Sequence, residues 1–163
     1  MASWREFAEA RPDMAAVFKG LLSIPITYLA TVRKDGSPRV HPVCPIFADG
    51  RMFVAMNETS PKRFDLSPEG RYAMHALGGE PRDGRGDDEF YVTGRAWKVG
   101  GDEVRQMIKD AAGHTVHAAD WLFEFDIEYA MSAFWENWAK PDTYAVRKRW
   151  AVDGGVKDDA GSA

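Results

Sequence analysis

The sequence predicts a mainly β protein, a small antiparallel barrel of six strands with helices at its periphery. Three observations lead there. Short runs rich in β-branched and aromatic residues are separated by tight-turn pairs, Asp35-Gly36 and Asp49-Gly50. A longer stretch from Trp121 to Ala133 alternates apolar and acidic residues, the period of a half-buried strand. Helical periodicity is confined to the N-terminus, one short turn and one insertion. Closure follows because six short strands in an open sheet would leave two edges free to pair with other chains.

The elements follow in order. Ser3 and Glu6 form a capping box, so a short helix starts at Trp4. Pro12 and Asp13 suit the first turn of a second helix, with Met14, Val17, Phe18, Leu21 and Leu22 at helical spacing and Pro25 as its stop. Strands are expected over 26–32, 38–47 and 52–56, joined by the two Asp-Gly turns. Ser60 is a candidate cap and Pro61 a first helical residue for a short helix over 62–66, ended by Pro68-Glu69-Gly70. A fourth strand covers 71–77, a polar loop 78–86 and a fifth strand 89–98. Asp102 caps a helix carrying Val104, Met107, Ile108 and Ala111 on one face, and Gly113 ends it. In the sixth strand Trp121, Phe123, Phe125, Ile127, Tyr129 and Met131 point one way. Glu124, Asp126 and Glu128 point the other, as a solvated acidic face.

One domain is expected over 1–152: a helical N-terminus (3–23), the barrel core (26–133) and a C-terminal extension (134–152), with 153–163 as a frayed tail. The 163 residues hold 21 Lys and Arg against 25 Asp and Glu, a net charge of −4. That mild acidity gives no support to a nucleic-acid or membrane-surface partner, since both need a clustered positive field, and neither is expected. The single Cys44 excludes an internal disulfide and a multi-Cys zinc site. No apolar run approaches the ~20 residues of a membrane-spanning helix. Arg5, Glu6, Glu9 and Arg11 interrupt the N-terminus, so it lacks a signal peptide's apolar core. A cytoplasmic protein is the expectation.

Two segments could carry chemistry. In RKDGSPRVHPVCPIF (33–47), Arg39, His41, Val43, Pro45 and Phe47 share one face, and Val40, Pro42, Cys44 and Ile46 the other. Pro42 and Pro45 each remove a ladder donor, so this strand belongs at a rim or breaks its pairing. Interrupted pairing would offer backbone groups to a ligand; equally, the prolines could protect an edge strand from aggregation. In NETSPKRFD (57–65), the hydroxyls of Thr59 and Ser60 and the cations Lys62 and Arg63 gather where a strand gives way to a helix. That combination suits a phosphate, and the alternative is a capped helix with two solvated cations.

The string YLATVRKDGSPRVHPV, then TSPKRFDL and the strand RYAMHAL, resembles the pyridoxamine 5′-phosphate oxidase-like flavin- and deazaflavin-binding split-barrel superfamily, over about residues 24–98. The resemblance implies a six-stranded antiparallel split β-barrel that works as a homodimer with a cofactor at the subunit interface. It places Arg39, Val40, His41, Pro42 and Val43 along the flavin ring and ribityl chain. It places Thr59, Ser60 and Lys62, with Arg63 as a helper, at the phosphate. The implied cofactor is FMN, with the deazaflavin coenzyme F-420 or haem as alternatives. The implied function is a flavin- or deazaflavin-dependent oxidoreductase passing hydride to a small-molecule acceptor. A non-catalytic flavin or haem carrier is the alternative. The Arg-rich strand and C-terminal Arg-x-His of the true pyridoxamine phosphate oxidases are not found, so the resemblance does not extend to that activity.

No catalytic acid or base stands out. His114 and His117 read as loop histidines without a third ligand, and no metal site is expected. His75 reads as a satisfied strand residue and Cys44 as a small buried one. Trp135, Trp138 and Trp150 read as core or dimer anchors.

Overall fold

The computed structural model describes residues 1–67, 70–78, 88–154 and 157–160. The expected polar loop at 78–86, apart from Gly78, and the expected stop at Pro68-Glu69 lie outside the described residues. Helices α1 (Trp4–Ala10) and α2 (Pro12–Leu21) precede β1 (Thr27–Val32), β2 (Pro38–Val43), β3 (Ile46–Ala48) and β4 (Arg51–Met56). A single helical turn, α3 (Lys62–Asp65), leads to β5 (Arg71–Leu77), β6 (Glu89–Val99) and α4 (Asp102–Ala111). β7 (Trp121–Glu136), β8 (Tyr144–Ala151) and β9 (Lys157–Ala160) complete the chain.

Every strand pair is antiparallel, and the sheet runs β2-β1-β5-β6-β7-β4-β3, with β8 on β7 and β9 on β8. The fold class matches the expectation: an antiparallel β structure with peripheral helices. The described residues hold nine strands instead of six. The expected strand over 38–47 is broken in two, and β8 and β9 add two more. β9 falls inside the expected frayed tail.

The break at Cys44-Pro45 explains the architecture. β2 and β3 lie at opposite ends of the seven-strand path, yet only two residues join them. Three Cα steps from Val43 to Ile46 span at most about 11 Å. The sheet must therefore curl until its two edges nearly meet. The chain spans the gap there, where a ladder would otherwise close it, and the result is a barrel split along a seam.

Local chemistry fixes the other joints. Ser3 and Glu6 cap α1 reciprocally, as the sequence indicates. Asp49 (φ 47°) and Gly50 (φ 70°) both lie in the left-handed region, as a two-residue hairpin turn between β3 and β4 requires. The cap of α4 is Gly101, with no side-chain bond from Asp102.

Trp4, Phe7, Met14 and Phe18 of α1 and α2 join Met52, Val54, Phe90, Phe123, Phe125 and Ile127 of the sheet in the main core. Phe18 stacks on Phe90 at 4.5 Å, and Phe7 meets Trp150 edge-on at 5.3 Å. α4 covers the other face of β3, β4 and β7, where Ile108 and Val116 pack on Ile46, Phe53 and Leu122. Arg11 ties the helices to the C-terminal strands. Its guanidinium donates to Asp13 (3.0 and 3.1 Å), to the Arg149 carbonyl (3.0 Å) and to Asp158 (3.3 Å).

Two expectations for β7 are corrected. The acidic face is not solvated throughout: Glu124 is 8% exposed and paired with Arg51, on the side that α4 covers, and Asp126 is half-buried, whereas the Glu128 side chain stays 44% exposed. Burial and the neighbouring Glu124 raise the Asp126 carboxyl above its ordinary range. Nor does one alternation run the whole length. Thr93 pairs with Tyr129 but Gly94 with Ile127, so Glu128 is an extra residue in a β-bulge. The phase flips there. Phe123, Phe125 and Ile127 point into the core, and beyond the bulge Ala130 does so while Tyr129 and Met131 face outward half-buried. Among the described residues, no helix is long and apolar enough to cross a membrane.

Candidate functional site

β1 and β2 pair in register with Thr31 opposite Arg39 and Leu29 opposite His41. α3 packs beside β1 at the Thr31 end. Asp65, at the end of α3, accepts a hydrogen bond from the buried Thr31 hydroxyl (2.8 Å) and an ion pair from Arg39 Nε (3.3 Å). The Arg39 side chain is 14% exposed and that of Asp65 only 7%. Nη1 of Arg39 is buried without a hydrogen-bond partner among the described residues. Lys62 stands one helical turn before Asp65 and is half-buried. Burial lowers the pKa of its ammonium, and so does the nearby Arg39 charge.

Two cations therefore lie near each other by β2 and α3, and a carboxylate pairs with one of them. The local sum is one uncompensated positive charge in a partly desolvated place. An unpaired buried guanidinium nitrogen is costly, and an anion with several acceptor oxygens would satisfy it. A phosphate fits this donor set.

The other expected site residues take varied places. His41 is half-buried on the same face as Arg39, whereas Val40 and Pro42 are exposed on the other. Val43 is buried in the main core, so only its backbone could meet a ligand. Ser60 does not cap α3, whose N-cap is Pro61 without a side-chain bond. Thr59 closes a side-chain turn, with its amide (2.9 Å) and hydroxyl (2.7 Å) both donating to Asn57 Oδ1. That hydroxyl has spent its donor and can only accept. Arg63 is turned away into an aromatic stack, its guanidinium 4.3 Å from the Phe64 ring centre and 4.4 Å from that of Trp121. Lys98 lies 3.7 Å from the centre of the Trp121 ring. Arg63 thus anchors α3 to the start of β7, and its role there is positional.

Sequence reasoning missed Thr31, Asp65 and Trp121. Asp65 carried a usable signal, because three residues after Lys62 it shares that helical face. Trp121 carried none, since its place beside α3 comes from the β4–β7 register, Met56 opposite Trp121.

Elsewhere, His114 and His117 are exposed, His75 pairs with Glu89 at 3.3 Å, and Cys44 is a half-buried free thiol at the seam. Trp150 is core, whereas Trp135 and Trp138 form an edge-on pair with Trp138 exposed. Among the described residues, no three His, Cys, Asp or Glu side chains gather as a metal site would require.

No protein-family model matches the chain, and no curated protein sequence matches it. Solved structures do match in fold. A pyridoxamine 5′-phosphate oxidase-related, FMN-binding protein from Nostoc punctiforme superposes with a TM-score of 0.59 at 12% identity, over 100% of this chain and 99% of that one. A NimC/NimA family protein from Clostridium acetobutylicum gives 0.58 at 16%, over 82% of this chain and 92% of that one. A heme binding protein from Mycobacterium smegmatis gives 0.59 at 14%, over 82% of this chain but only 58% of that one. At such identities the likeness is one of fold. Taken with the seam, the bent β7 and the strand order, it shows that this chain has the split-barrel fold of the pyridoxamine 5′-phosphate oxidase-like proteins.

Proposed function

We propose that the chain binds the phosphate of a flavin or deazaflavin cofactor between β2 and α3, and acts as an oxidoreductase toward a small-molecule acceptor. The observation that carries this reading is the buried, unpartnered Arg39 nitrogen, with the half-buried Lys62 near enough for the Arg39 charge to lower its pKa. FMN is the cofactor that the FMN-binding neighbour favours. Bound there, the cofactor supplies hydride transfer, and the chain supplies binding and orientation. Arg39 and Lys62 would hold the phosphate, with Thr59 and Ser60 at its margin. Val40, His41, Pro42 and the Val43 backbone would line the ring and its chain.

A homodimer completes the proposal. Tyr28, Val32 and Val40 are 54%, 53% and 59% exposed, and the β1–β2 register puts them on one outward face with Ala30 and Pro42. A contiguous apolar face of this kind marks an interaction surface. A reducing compartment such as the cytoplasm suits the free Cys44.

The likeness to a heme binding protein favours a second reading, a carrier that binds its group without turnover. An absorbance spectrum of the purified protein, followed by titration with FMN, riboflavin and haem, separates the two. FMN bound more tightly than riboflavin, with reduction by an added hydride donor, supports the oxidoreductase. A Soret band with no flavin affinity overturns it.

A further inference from the structure

The chain crosses the seam between β2 and β3 over a cavity of about 320 Å³, near the lower end of the range for small-molecule sites. Lys19 of α2 and Leu22 just after it form one wall. Pro25 and the two seam residues, Cys44 and Pro45, form another, and Ala111 at the end of α4 a third. The lining is mostly apolar. Its basic groups are Lys19 and His114, both exposed and therefore at the rim.

The edge of the sheet adds a backbone donor. β3 ends the seven-strand path, so no described strand pairs with its outer side. The two-residue turn at Asp49-Gly50 makes Ala48 and Arg51 a hydrogen-bonded pair, and alternation then gives Phe47, opposite Met52, a non-hydrogen-bonded position. The Phe47 amide and carbonyl consequently point away from β4, on the edge where Phe47 lines the cavity. Among the described residues, no carboxylate lines the cavity, and Lys19 makes no hydrogen bond or ion pair. Glu9 shares a second surface depression with Lys19 but makes no ion pair with it. The Lys19 ammonium lies 5.8 Å from the Trp4 ring centre and 5.9 Å from that of Phe47, near the limit at which a ring attracts a cation.

An apolar hollow with an unpaired cation and a free amide at its rim matches one kind of molecule. We propose that the seam cavity binds a compact apolar carboxylate, its charged end held by Lys19 and the Phe47 amide and its body between Leu22, Pro25 and Pro45. A neutral apolar molecule leaves both donors without a partner. The volume excludes a large ligand. No residue of this site belongs to the proposed phosphate site, so the inference stands apart from that reading.

The test uses cyclohexanecarboxylate and its neutral counterpart, cyclohexanecarboxamide, on the purified full chain. Calorimetric titration reads affinity, and the rate at which iodoacetamide alkylates Cys44, the chain's one cysteine, reads location. At ten times its dissociation constant the carboxylate leaves about one site in eleven free, so alkylation should slow roughly tenfold. Lys19→Ala should weaken the carboxylate about fivefold, as an exposed ion pair allows, and leave the carboxamide unchanged; Lys19→Arg should restore the affinity. Ala111→Trp fills the cavity from an exposed position and should abolish binding of both ligands without lowering the melting temperature. A carboxamide that binds as tightly as the carboxylate overturns the proposal, and so does a Lys19→Ala variant that binds like the wild type. Carboxylate that binds without protecting Cys44, undiminished binding in Ala111→Trp, or no binding at millimolar concentration overturns it equally. FMN titration of the same variants reads the phosphate site separately.

Discussion

Replacing Lys62 by Ala separates the binding role of this residue from any structural one, because the two effects have opposite signs. In the free protein the Lys62 charge is unfavourable, since burial and Arg39 both lower its pKa. Removing the side chain relieves both, so the melting temperature of the free protein should stay level or rise. Arg39 is balanced by Asp65 at 3.3 Å, which leaves Lys62 as the uncompensated cation of this pair of cations among the described residues. A hydrogen bond to a charged group contributes roughly 1.5–3 kcal/mol, and the net-charge argument places this one toward the upper end. At ~1.4 kcal/mol per decade, FMN affinity should fall about thirty- to a hundredfold. Riboflavin, without the phosphate, should lose less than about threefold. The pH dependence follows in sign. A bound phosphate favours the ammonium form, so binding takes up a proton once pH passes the lowered Lys62 value, and affinity declines through the alkaline range. The variant should lack that slope. Calorimetric titration of both ligands across pH reads all three effects, and Arg63→Ala is the control. Arg63 is stacked on Phe64 and Trp121, so its loss should reduce stability by about 1 kcal/mol and change FMN affinity little. Equal losses for FMN and riboflavin in the Lys62 variant, or a marked drop in its melting temperature, would refute the reasoning.

Three further outcomes are expected. Gly94→Ala should lower the melting temperature by roughly 5–10 °C, about 2–3 kcal/mol, because its Cβ would lie 2.0 Å from the Asp126 carbonyl oxygen at the bulge; thermal circular dichroism checks it. Asp13 is held well below the usual carboxylate range by Arg11, and then by Lys148. Its contribution is therefore present above about pH 4 and fades as pH falls toward the lowered value. Asp13→Asn should accordingly reduce stability by about 1 kcal/mol at neutral pH, its partial exposure limiting the figure. The gap between urea midpoints of the two proteins should narrow steadily as pH falls below about 4, and a gap independent of pH would count against the assignment. Val40→Asp should leave the fold intact and convert a dimer to monomers in sedimentation equilibrium, whereas a wild-type monomer at micromolar concentration would dispose of the proposed interface.

Features set by neighbours in the chain were legible, and features set by partners across space were not. The Asp-Gly turns, the Ser3–Glu6 box and the starts of β5, β6 and β7 depend on local backbone chemistry, so their residues announce them. Pro42 and Pro45 signalled interrupted pairing, but not that β2 and β3 would land on opposite edges of the sheet. That outcome depends on how the whole sheet curls. Gly94 inside an alternating strand was a bulge signal left unused, and it would have moved Tyr129 and Met131 to the outer face. β8 was hidden by its run Arg147-Lys148-Arg149, in which Lys148 pairs with Asp13 at 2.9 Å, a contact between distant parts of the chain. In the site, the positions of Arg39 and Lys62 were legible, while the carboxylate that orients Arg39 and the ring that receives Arg63 were not. Both are contacts between separate elements.

β7 has two sets of neighbours. Its first five residues pair with β4, its last eight with β8, and β6 runs along it on both sides of the bulge. One strand therefore belongs to both the barrel and the C-terminal hairpin. The barrel cannot come apart without breaking the β6–β7 ladder, so the amides of that ladder should exchange with solvent only through global unfolding. β8 and β9 can peel away from the far end, held there by Arg11 and the last eight registers of β7. Cooperativity in this molecule is consequently graded from its centre outward. The N-terminal segment joins the rigid end of that gradient, because Ala2 exchanges two backbone hydrogen bonds (2.8 and 2.7 Å) with Ile127 beside the bulge.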